Sequence, residues 1–176
     1  MGAYEVRGWA DATPRQWLET SDQDMLSMVR MIQLLVAQMR QLGWGRIIRI
    51  SSLVGVQPLA AQPDYSATKA AVINMPVSLA KELASTGVTV NTVTPGPIMT
   101  SGWLEWARGI AKARGWGDDM DRIERRIVQE VLPNSVGRIG RAEDIANAVA
   151  FLASPLAGFI NGANLRVDGG SAQSVN

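Results

Sequence analysis

The stretch Gly45-Arg-Ile-Ile-Arg-Ile-Ser-Ser52 leads through a loop to Tyr65-Ser-Ala-Thr-Lys69. Its run of isoleucines is β-branched and apolar, which predicts a buried strand that ends at a pair of serines. A helical pattern then opens near Asp64. It holds Tyr65 and Lys69 four residues apart, so one helical turn places both side chains on the same face. This stretch therefore predicts a strand that ends at a serine hydroxyl and a helix that carries a phenol next to an ammonium group.

Acid–base chemistry in this chain has few possible carriers, because the sequence contains no histidine and no cysteine. A tyrosine ordinarily titrates near ~10. A cation one turn away favours the phenolate and lowers the tyrosine pKa, as a proton carrier near neutral pH requires. Ser52, thirteen residues before Tyr65, is placed to donate a hydrogen bond to a carbonyl oxygen that the phenol also approaches. Taken singly, a serine pair at the end of a strand is more often a turn or cap feature, and a Tyr-x-x-x-Lys pair on a helix is more often a surface contact.

Composition limits the classes of function. The 176 residues, 47% of them apolar, suit one domain over residues 1–176. A net charge of +1 gives no electrostatic reason to expect nucleic acid or membrane as a partner. The absence of cysteine excludes disulfides and thiolate metal sites, and no metal is expected. The most apolar stretch, residues 145–160, is too short to span a bilayer, and a cytoplasmic protein is expected.

The remaining pattern predicts helices alternating with strands. Thr13-Pro14-Arg15-Gln16 has the cap, proline and glutamine of a helix start, and helical apolar spacing follows as far as Gly43. Further strands are predicted at 87–93 and 162–167, and a last helix at 141–152. Such alternation indicates an α/β fold with a parallel sheet and right-handed crossovers.

Residues 95–97, Pro-Gly-Pro, form the predicted turn at the carboxyl end of the second strand. Ligands of parallel α/β sheets bind beyond the carboxyl ends of the strands. This turn and the Ser52 loop are therefore expected to face one pocket. The simpler interpretation, that Pro-Gly-Pro is only a loop signal, stays open.

Residues 101–135 are predicted to be two helical stretches broken near Gly115-Trp-Gly117. Trp103, Trp106 and Trp116 in this region indicate either an apolar or aromatic wall for a substrate or a set of packing anchors. The charge run over residues 122–126 is predicted to be a solvated face.

Taken in order, several motifs resemble the C-terminal part of a short-chain dehydrogenase/reductase. They are Ser52, Tyr65-Ser-Ala-Thr-Lys69, Val90-Asn-Thr-Val-Thr-Pro95-Gly96-Pro-Ile98-Met-Thr100, Gly137-Arg-Ile-Gly-Arg and Val167-Asp-Gly-Gly170. The resemblance implies a Rossmann-like fold and NAD(P)-dependent interconversion of a carbonyl and an alcohol by hydride transfer. It also implies that Ser52 polarises the substrate oxygen, that Tyr65 transfers the proton, and that Lys69 lowers the tyrosine pKa and binds the nicotinamide ribose.

The resemblance extends to further positions. Asp24 stands where the family has an asparagine that helps to hold a water linking the lysine to solvent, and its charge would interact with Lys69 if the two are near each other. NAD or NADP is the implied cofactor, with Tyr65, Lys69, Pro95, Gly96, Ile98 and Thr100 at its nicotinamide end. Residues 101–135 correspond to a variable segment that covers the substrate, which is expected to be a small carbonyl or alcohol compound, and the tryptophans of this segment are compatible with an apolar one.

A glycine-rich turn between a strand and a helix, which receives a dinucleotide pyrophosphate, is not found. Gly43-Trp-Gly45 precedes its strand, and Gly115-Trp-Gly117 lies between helices. We therefore expect the catalytic half of the fold, truncated at the N-terminus, with about three strands. Its first strand would present an unpaired edge, which predicts a homo-oligomer or a poorly soluble chain. The alternative is a catalytically silent fragment that acts only as a folding or oligomerisation partner.

Overall fold

The fold is an alternation of helices and strands, seen in a computed structural model that describes residues 5–173. The ends of the predicted domain, residues 1–4 and 174–176, lie outside the described residues. The helices are α1 (Pro14–Ser21), α2 (Ser27–Leu42), α3 (Pro63–Glu82), α4 (Ser101–Arg114), α5 (Met120–Glu130) and α6 (Ala142–Ala153). The strands are β1 (Gly45–Ile50), β2 (Val88–Pro95) and β3 (Asn164–Val167).

The three strands form one parallel sheet in the order β1-β2-β3. Gly45 pairs with Val88 and Ile50 with Val93, so β1 and β2 end at the same edge. β2 is buried along its length up to Pro95, as expected of a central strand covered on both faces. The predicted Rossmann-like parallel sheet of three strands is thereby confirmed.

Helices cover both faces of this sheet. On one face α2 and α3 enclose an apolar cluster that includes Leu83, Val88 and Val90. On the other face α6 packs against Val93 through Leu152. A third cluster, built by α4 and α5, contains Trp103, Trp116, Ile123, Ile127 and Ile139. Among residues 5–173, none of the helices combines the length and the apolar character needed to cross a bilayer.

The first helical region confirms one prediction and departs from another. Thr13 and Gln16 form a reciprocal capping box at the start of α1, and Gly43 ends α2 in the left-handed conformation, with φ of 64°. The sequence predicts one uninterrupted helix between them. The structure instead inserts a π-helical turn, Asp22–Leu26, between α1 and α2. The apolar residues whose spacing predicts the helix begin at Met25, near the end of this turn, so the pattern does not reveal the extra residue.

Candidate active site

Two adjacent serines leave the carboxyl end of β1 and have different surroundings. Ser51 is buried: its N–H donates to the Val93 carbonyl over 2.9 Å, and its hydroxyl donates to the Lys69 carbonyl over 2.8 Å. Ser52 is half-buried, and its oxygen accepts only a long bond, 3.4 Å, from the N–H of Val54. Because a hydroxyl that accepts can also donate, Ser52 retains a proton with which to hydrogen-bond a ligand.

Gly55 fixes the spacing between the Ser52 loop and α3. A Cβ atom at this position would lie 2.7 Å from the carbonyl carbon of Lys69 and 2.9 Å from the nitrogen of Ala70. Both are backbone atoms, which cannot rotate away. The loop after β1 therefore packs against the main chain of α3 only because residue 55 has no side chain.

Tyr65 and Lys69 lie on one face of α3, as their spacing predicts. The Lys69 ammonium is 5.3 Å from the centre of the Tyr65 ring, within range of a cation–π contact. Lys69 is buried and Tyr65 is half-buried. A buried cation thus lies against a half-buried phenol ring.

Asp24 approaches Lys69 from the π-helical turn. Its Oδ1 is 3.6 Å from the Lys69 ammonium, and both side chains are buried. The turn is anchored from α1, where the Thr20 hydroxyl donates to the Asp64 carboxylate of α3 over 2.9 Å. Turns of this kind often occur at functional sites because the extra residue re-aims a side chain. Asp24 and Lys69 are therefore close enough for the direct charge interaction that is expected if the two residues are neighbours.

Burial and neighbouring charges shift the pKa of Lys69 in opposite directions. Burial lowers the pKa of Lys69, because an apolar surrounding disfavours its charged form. The charge and hydrogen bond of Asp24 oppose that effect, and the positive charge of Arg49 reinforces it. The balance is a lysine pKa below its usual value.

The turn after β2 packs closely against the end of β3. A Cβ atom at Gly96 would lie 2.8 Å from the Cα of Asp168. Gly140 bonds to the peptide groups on either side of Ile98: its N–H donates to Pro97, and its carbonyl accepts from Met99. In a parallel bridge of this kind the N–H and C=O of Ile98 itself point away from Gly140.

Thr100 has a structural role at the start of α4. It is the N-cap of α4, and its side-chain oxygen accepts from the N–H of Trp103 over 3.3 Å. The capping bond uses the oxygen as an acceptor and leaves the hydroxyl proton for another partner.

The tryptophans of residues 101–135 divide between the two interpretations that the sequence left open. Trp103 and Trp116 are buried in the cluster between α4 and α5, as packing anchors. The guanidinium groups of Arg114 and Arg126 lie 5.2 and 5.5 Å from the Trp116 ring centre. Trp106 is partly exposed and tilts against Trp103. Only Trp106 of the three retains exposed surface for a substrate.

The predicted solvated face over residues 122–126 is wrong at Glu124. This carboxylate is buried, accepts from the Ile139 N–H over 2.8 Å, and receives both guanidinium nitrogens of Arg141. Burial alone would raise the pKa of Glu124, but these hydrogen bonds and the nearby arginine charges outweigh it and lower that pKa. The position on α5 faces the segment before α6, a tertiary contact that a local charge pattern does not contain.

The chain is similar to known oxidoreductases over almost all of its length. Residues 3–172 match the family model described as "Enoyl-(Acyl carrier protein) reductase". The uncharacterized oxidoreductase YvrD of Bacillus subtilis (strain 168) is 36% identical over 99% of this chain and 66% of its own length. The 3-oxoacyl-[acyl-carrier-protein] reductase FabG of Escherichia coli (strain K12) is 38% identical over 88% of this chain and 57% of its own length.

A solved structure is also similar to almost the whole chain. L-Sorbose reductase from Gluconobacter frateurii, complexed with NADPH and L-sorbose, superposes with a TM-score of 0.89 at 30% identity. The match covers 99% of this chain and 65% of that protein. The chain thus spans less than two thirds of the length of each of these three relatives.

Proposed function

This chain belongs to the short-chain dehydrogenase/reductase family, and from that premise we propose that it is an NAD(P)-dependent oxidoreductase that interconverts a carbonyl and an alcohol. The observation that carries the proposal is that Tyr65 and Lys69 lie together on α3, while the loop that carries Ser52 packs against the main chain of α3 at Lys69. The FabG and L-sorbose proteins are both named as reductases. We accordingly assign a small carbonyl or alcohol compound as substrate.

In the direction of reduction, the chain's own residues manage the substrate oxygen. The Ser52 hydroxyl donates a hydrogen bond to the carbonyl oxygen and so favours the charge that develops there. The Tyr65 phenol gives its proton to that oxygen as the carbonyl carbon is reduced, which produces the alcohol and leaves a phenolate. The Lys69 ammonium stabilises the phenolate until a proton returns to it from solvent. Oxidation of the alcohol reverses each transfer.

The residues near the ends of β1 and β2 suit the nicotinamide end of NAD or NADP, which when bound would supply the hydride. The outward-facing N–H and C=O of Ile98 match the acceptor and donor of a carboxamide. Pro95 and Gly96 bring that turn close to β3, and the Thr100 hydroxyl proton is available to the same group. Tyr65 and Lys69 are assigned to the ribose. Within residues 5–173, neither Gly43–Gly45 nor Gly115–Gly117 lies between a strand and a following helix.

We further propose one domain over residues 1–176, with 101–135 covering the substrate, and a cytoplasmic location. α4 begins at Ser101, directly after its N-cap Thr100, so a ligand bound at the Ile98 turn would lie beside its first residues. Partly exposed Trp106 would give that cover an aromatic surface. An apolar substrate fits such a surface better than a charged one does.

Cofactor binding is the first test of this proposal. The purified chain would be titrated with NADPH and NADH while nicotinamide fluorescence is followed. Saturable binding is expected, and Lys69→Met should weaken it. Lys81→Met, which removes an exposed lysine from the same helix, is the matched control and should bind like the unaltered chain.

Turnover is the second test. With a panel of ketones and aldehydes, Tyr65→Phe should lower kcat by about 10²–10⁴-fold, the usual worth of a positioned proton donor, while cofactor binding persists. A folded chain that binds neither nucleotide would refute the oxidoreductase proposal and favour the alternative of a silent folding or oligomerisation partner.

A further inference from the structure

Arg49 is a buried charge that the proposed chemistry does not use. It is the fifth of the six residues of β1, lies on the face covered by α2 and α3, and is only 3% exposed. Its Nε contacts the Met28 sulfur at 3.2 Å and its Nη1 contacts the Met75 sulfur at 3.9 Å. Its Nη2 has no hydrogen-bond partner in the structure, and no carboxylate within residues 5–173 lies within 4.0 Å of the guanidinium. Burying an unpaired cation among thioethers is costly.

The neighbouring charges show what this cation balances. Asp24 is 5% exposed and pairs with Lys69, which is 7% exposed, so the carboxylate offsets the positive charge beside Tyr65. The other Asp24 oxygen, Oδ2, has no hydrogen-bond partner in the structure. Arg49 precedes Ser51 by two residues, the Ser51 hydroxyl donates to the Lys69 carbonyl, and Met28, which Arg49 contacts, follows Asp24 by four residues. Arg49 therefore lies near the Lys69–Asp24 pair, and its charge acts on the Lys69 ammonium. Asp24, Lys69 and Arg49 therefore form a buried group with one net positive charge.

The other charged groups that the described segments bring to this side of α3 all have partners of opposite charge. Arg7 donates to the buried Asp64 carboxylate over 3.2 Å, and also to the exposed Glu5 carboxylate over 3.0 Å. On the solvent side, Arg15 pairs with Glu19 and Asp22 with Arg30. Among the groups shielded from solvent here, Arg7 offsets Asp64 and Asp24 offsets Lys69, so the unmatched charge is that of Arg49.

A phenol loses its proton more readily beside net positive charge. A Lys69 ammonium neutralised by Asp24 gives Tyr65 less help than an unpaired ammonium would. We propose that Arg49 is a positioning residue that restores, near the Lys69–Asp24 pair that adjoins Tyr65, the positive charge that Asp24 takes from Lys69. This inference rests on the proposed role of Tyr65 as proton carrier, and it makes Asp24 and Arg49 a compensating pair.

The alternative is that Arg49 only fills space between α2 and α3. The two ideas differ in their consequences for Arg49→Met, which replaces the side chain with one of the type that already surrounds it. If Arg49 only fills space, Arg49→Met should change the free energy of unfolding and leave the pKa of Tyr65 unchanged. If Arg49 compensates for the charge of Asp24, Arg49→Met should change the pKa of Tyr65. The free energy of unfolding should stay the same or increase, because replacing a buried ion by an apolar side chain is often neutral or stabilising.

The test is titration of Tyr65 without any cofactor, followed by the ultraviolet absorbance of tyrosinate. The chain has two tyrosines, so the signal of the Tyr65→Phe variant is subtracted to isolate residue 65. Arg49→Met should raise the apparent pKa of Tyr65 by about one unit, the effect of one charge at moderate distance in a partly buried setting. Asp24→Asn should lower it by a similar amount, and the double variant should return it close to the original value.

Controls separate charge from packing. Arg49→Lys keeps the charge and should leave the titration nearly unchanged, while Arg49→Gln is a second neutral replacement that should act like Arg49→Met. Arg46→Met removes the other β1 arginine, which stacks on Trp44 at the opposite end of the strand, and should have no effect.

An unshifted Tyr65 in folded Arg49→Met and Arg49→Gln would overturn the inference. So would a double variant that titrates like Arg49→Met alone. Because no nucleotide is present, the charge relation is tested even if the chain proves inactive. Loss of turnover with the titration shifts intact would refute only the proposed function.

Discussion

At the scale of single residues, Ser51 and Ser52 are adjacent but have separate tasks. Ser52→Ala should lower kcat for carbonyl reduction by about 10²–10³-fold, the usual worth of a donor to a developing oxyanion, with unfolding unchanged. Ser51→Ala removes the bond to the Lys69 carbonyl and should cost about 0.5–1.5 kcal/mol of unfolding free energy. Steady-state kinetics and urea unfolding measure the two effects. A larger kinetic loss in Ser51→Ala would reverse these assignments.

Residue-scale prediction succeeds where the relation is local. Tyr65 and Lys69 share a helix turn, so their proximity follows from the helical period alone. The division of labour between Ser51 and Ser52 depends on α3 and β2, which meet them only in the folded chain. A charged residue inside an apolar strand run was the available signal for Arg49, but its neighbours come from two distant helices.

At the scale of elements, the contact between the Ser52 loop and α3 depends on Gly55. Gly55→Ala places a methyl against backbone atoms of α3, so the loop must move. We expect a loss of about 1–3 kcal/mol in unfolding free energy and a lower kcat. Gly109→Ala is the matched control, because its Cβ meets no atom within 4 Å inside α4. It should stabilise the chain by about 0.5–1 kcal/mol. Equal effects of the two substitutions would contradict the packing argument.

Glu124 joins α5 to the segment that enters α6. Glu124→Gln removes the ion pair with Arg141 and should cost about 1–3 kcal/mol at pH 7, because buried partners are left poorly satisfied. Glu130→Gln, at an exposed pair with Arg114, should cost no more than about 1 kcal/mol. Chemical unfolding of both variants measures the difference.

The same carboxylate predicts a dependence of stability on pH. The folded-state pKa of Glu124 lies below the ordinary glutamate value, so the unfolded chain binds its proton first as the pH falls. The stabilisation is fully present above that ordinary value, about 4.3, and is lost as the pH falls through the folded-state pKa. The gap between the original chain and Glu124→Gln should therefore narrow in acid. A gap that stays constant below pH ~4 would show that packing, not charge, is lost.

Elements were predicted where local signals define them. The capping box at Thr13 and the end of α2 at Gly43 are determined by residues that are neighbours in the sequence. The buried face of Glu124 and the π-helical turn depend on partners far along the chain, such as Ile139 and Asp64. Local patterns carry no information about such partners.

At the scale of the whole molecule, β1 is an edge of the sheet, since β2 is its only strand neighbour within the described residues. Beside it, Met31, Leu34 and Leu35 of α2 are exposed, and Leu34 is 75% exposed. A cavity of about 330 Å³ lies between α2 and β1 with a mostly apolar lining. Such a surface favours association with a second copy of the chain, and we propose a homo-oligomer formed there.

Light scattering tests that proposal. The mean mass should rise with protein concentration, and Leu34→Lys should lower it at a given concentration by placing a charge on the proposed contact. Leu156→Lys changes an equally exposed leucine on the far side of the sheet, after α6, and should leave the mass unchanged. A monodisperse monomer at all concentrations would refute the proposal.

The π-helical turn also makes this part of the chain sensitive to length. An α-helix advances about 100° per residue, so excising Gln23 to restore a regular α-helical turn would rotate everything before it by that angle relative to everything after it. Thr20 could then not reach Asp64 while α2 keeps its apolar side on the sheet. A substitution here changes one contact, whereas a one-residue deletion rotates the whole of α1 relative to α2. Among relatives, residue count across this segment should thus be more constant than residue identity.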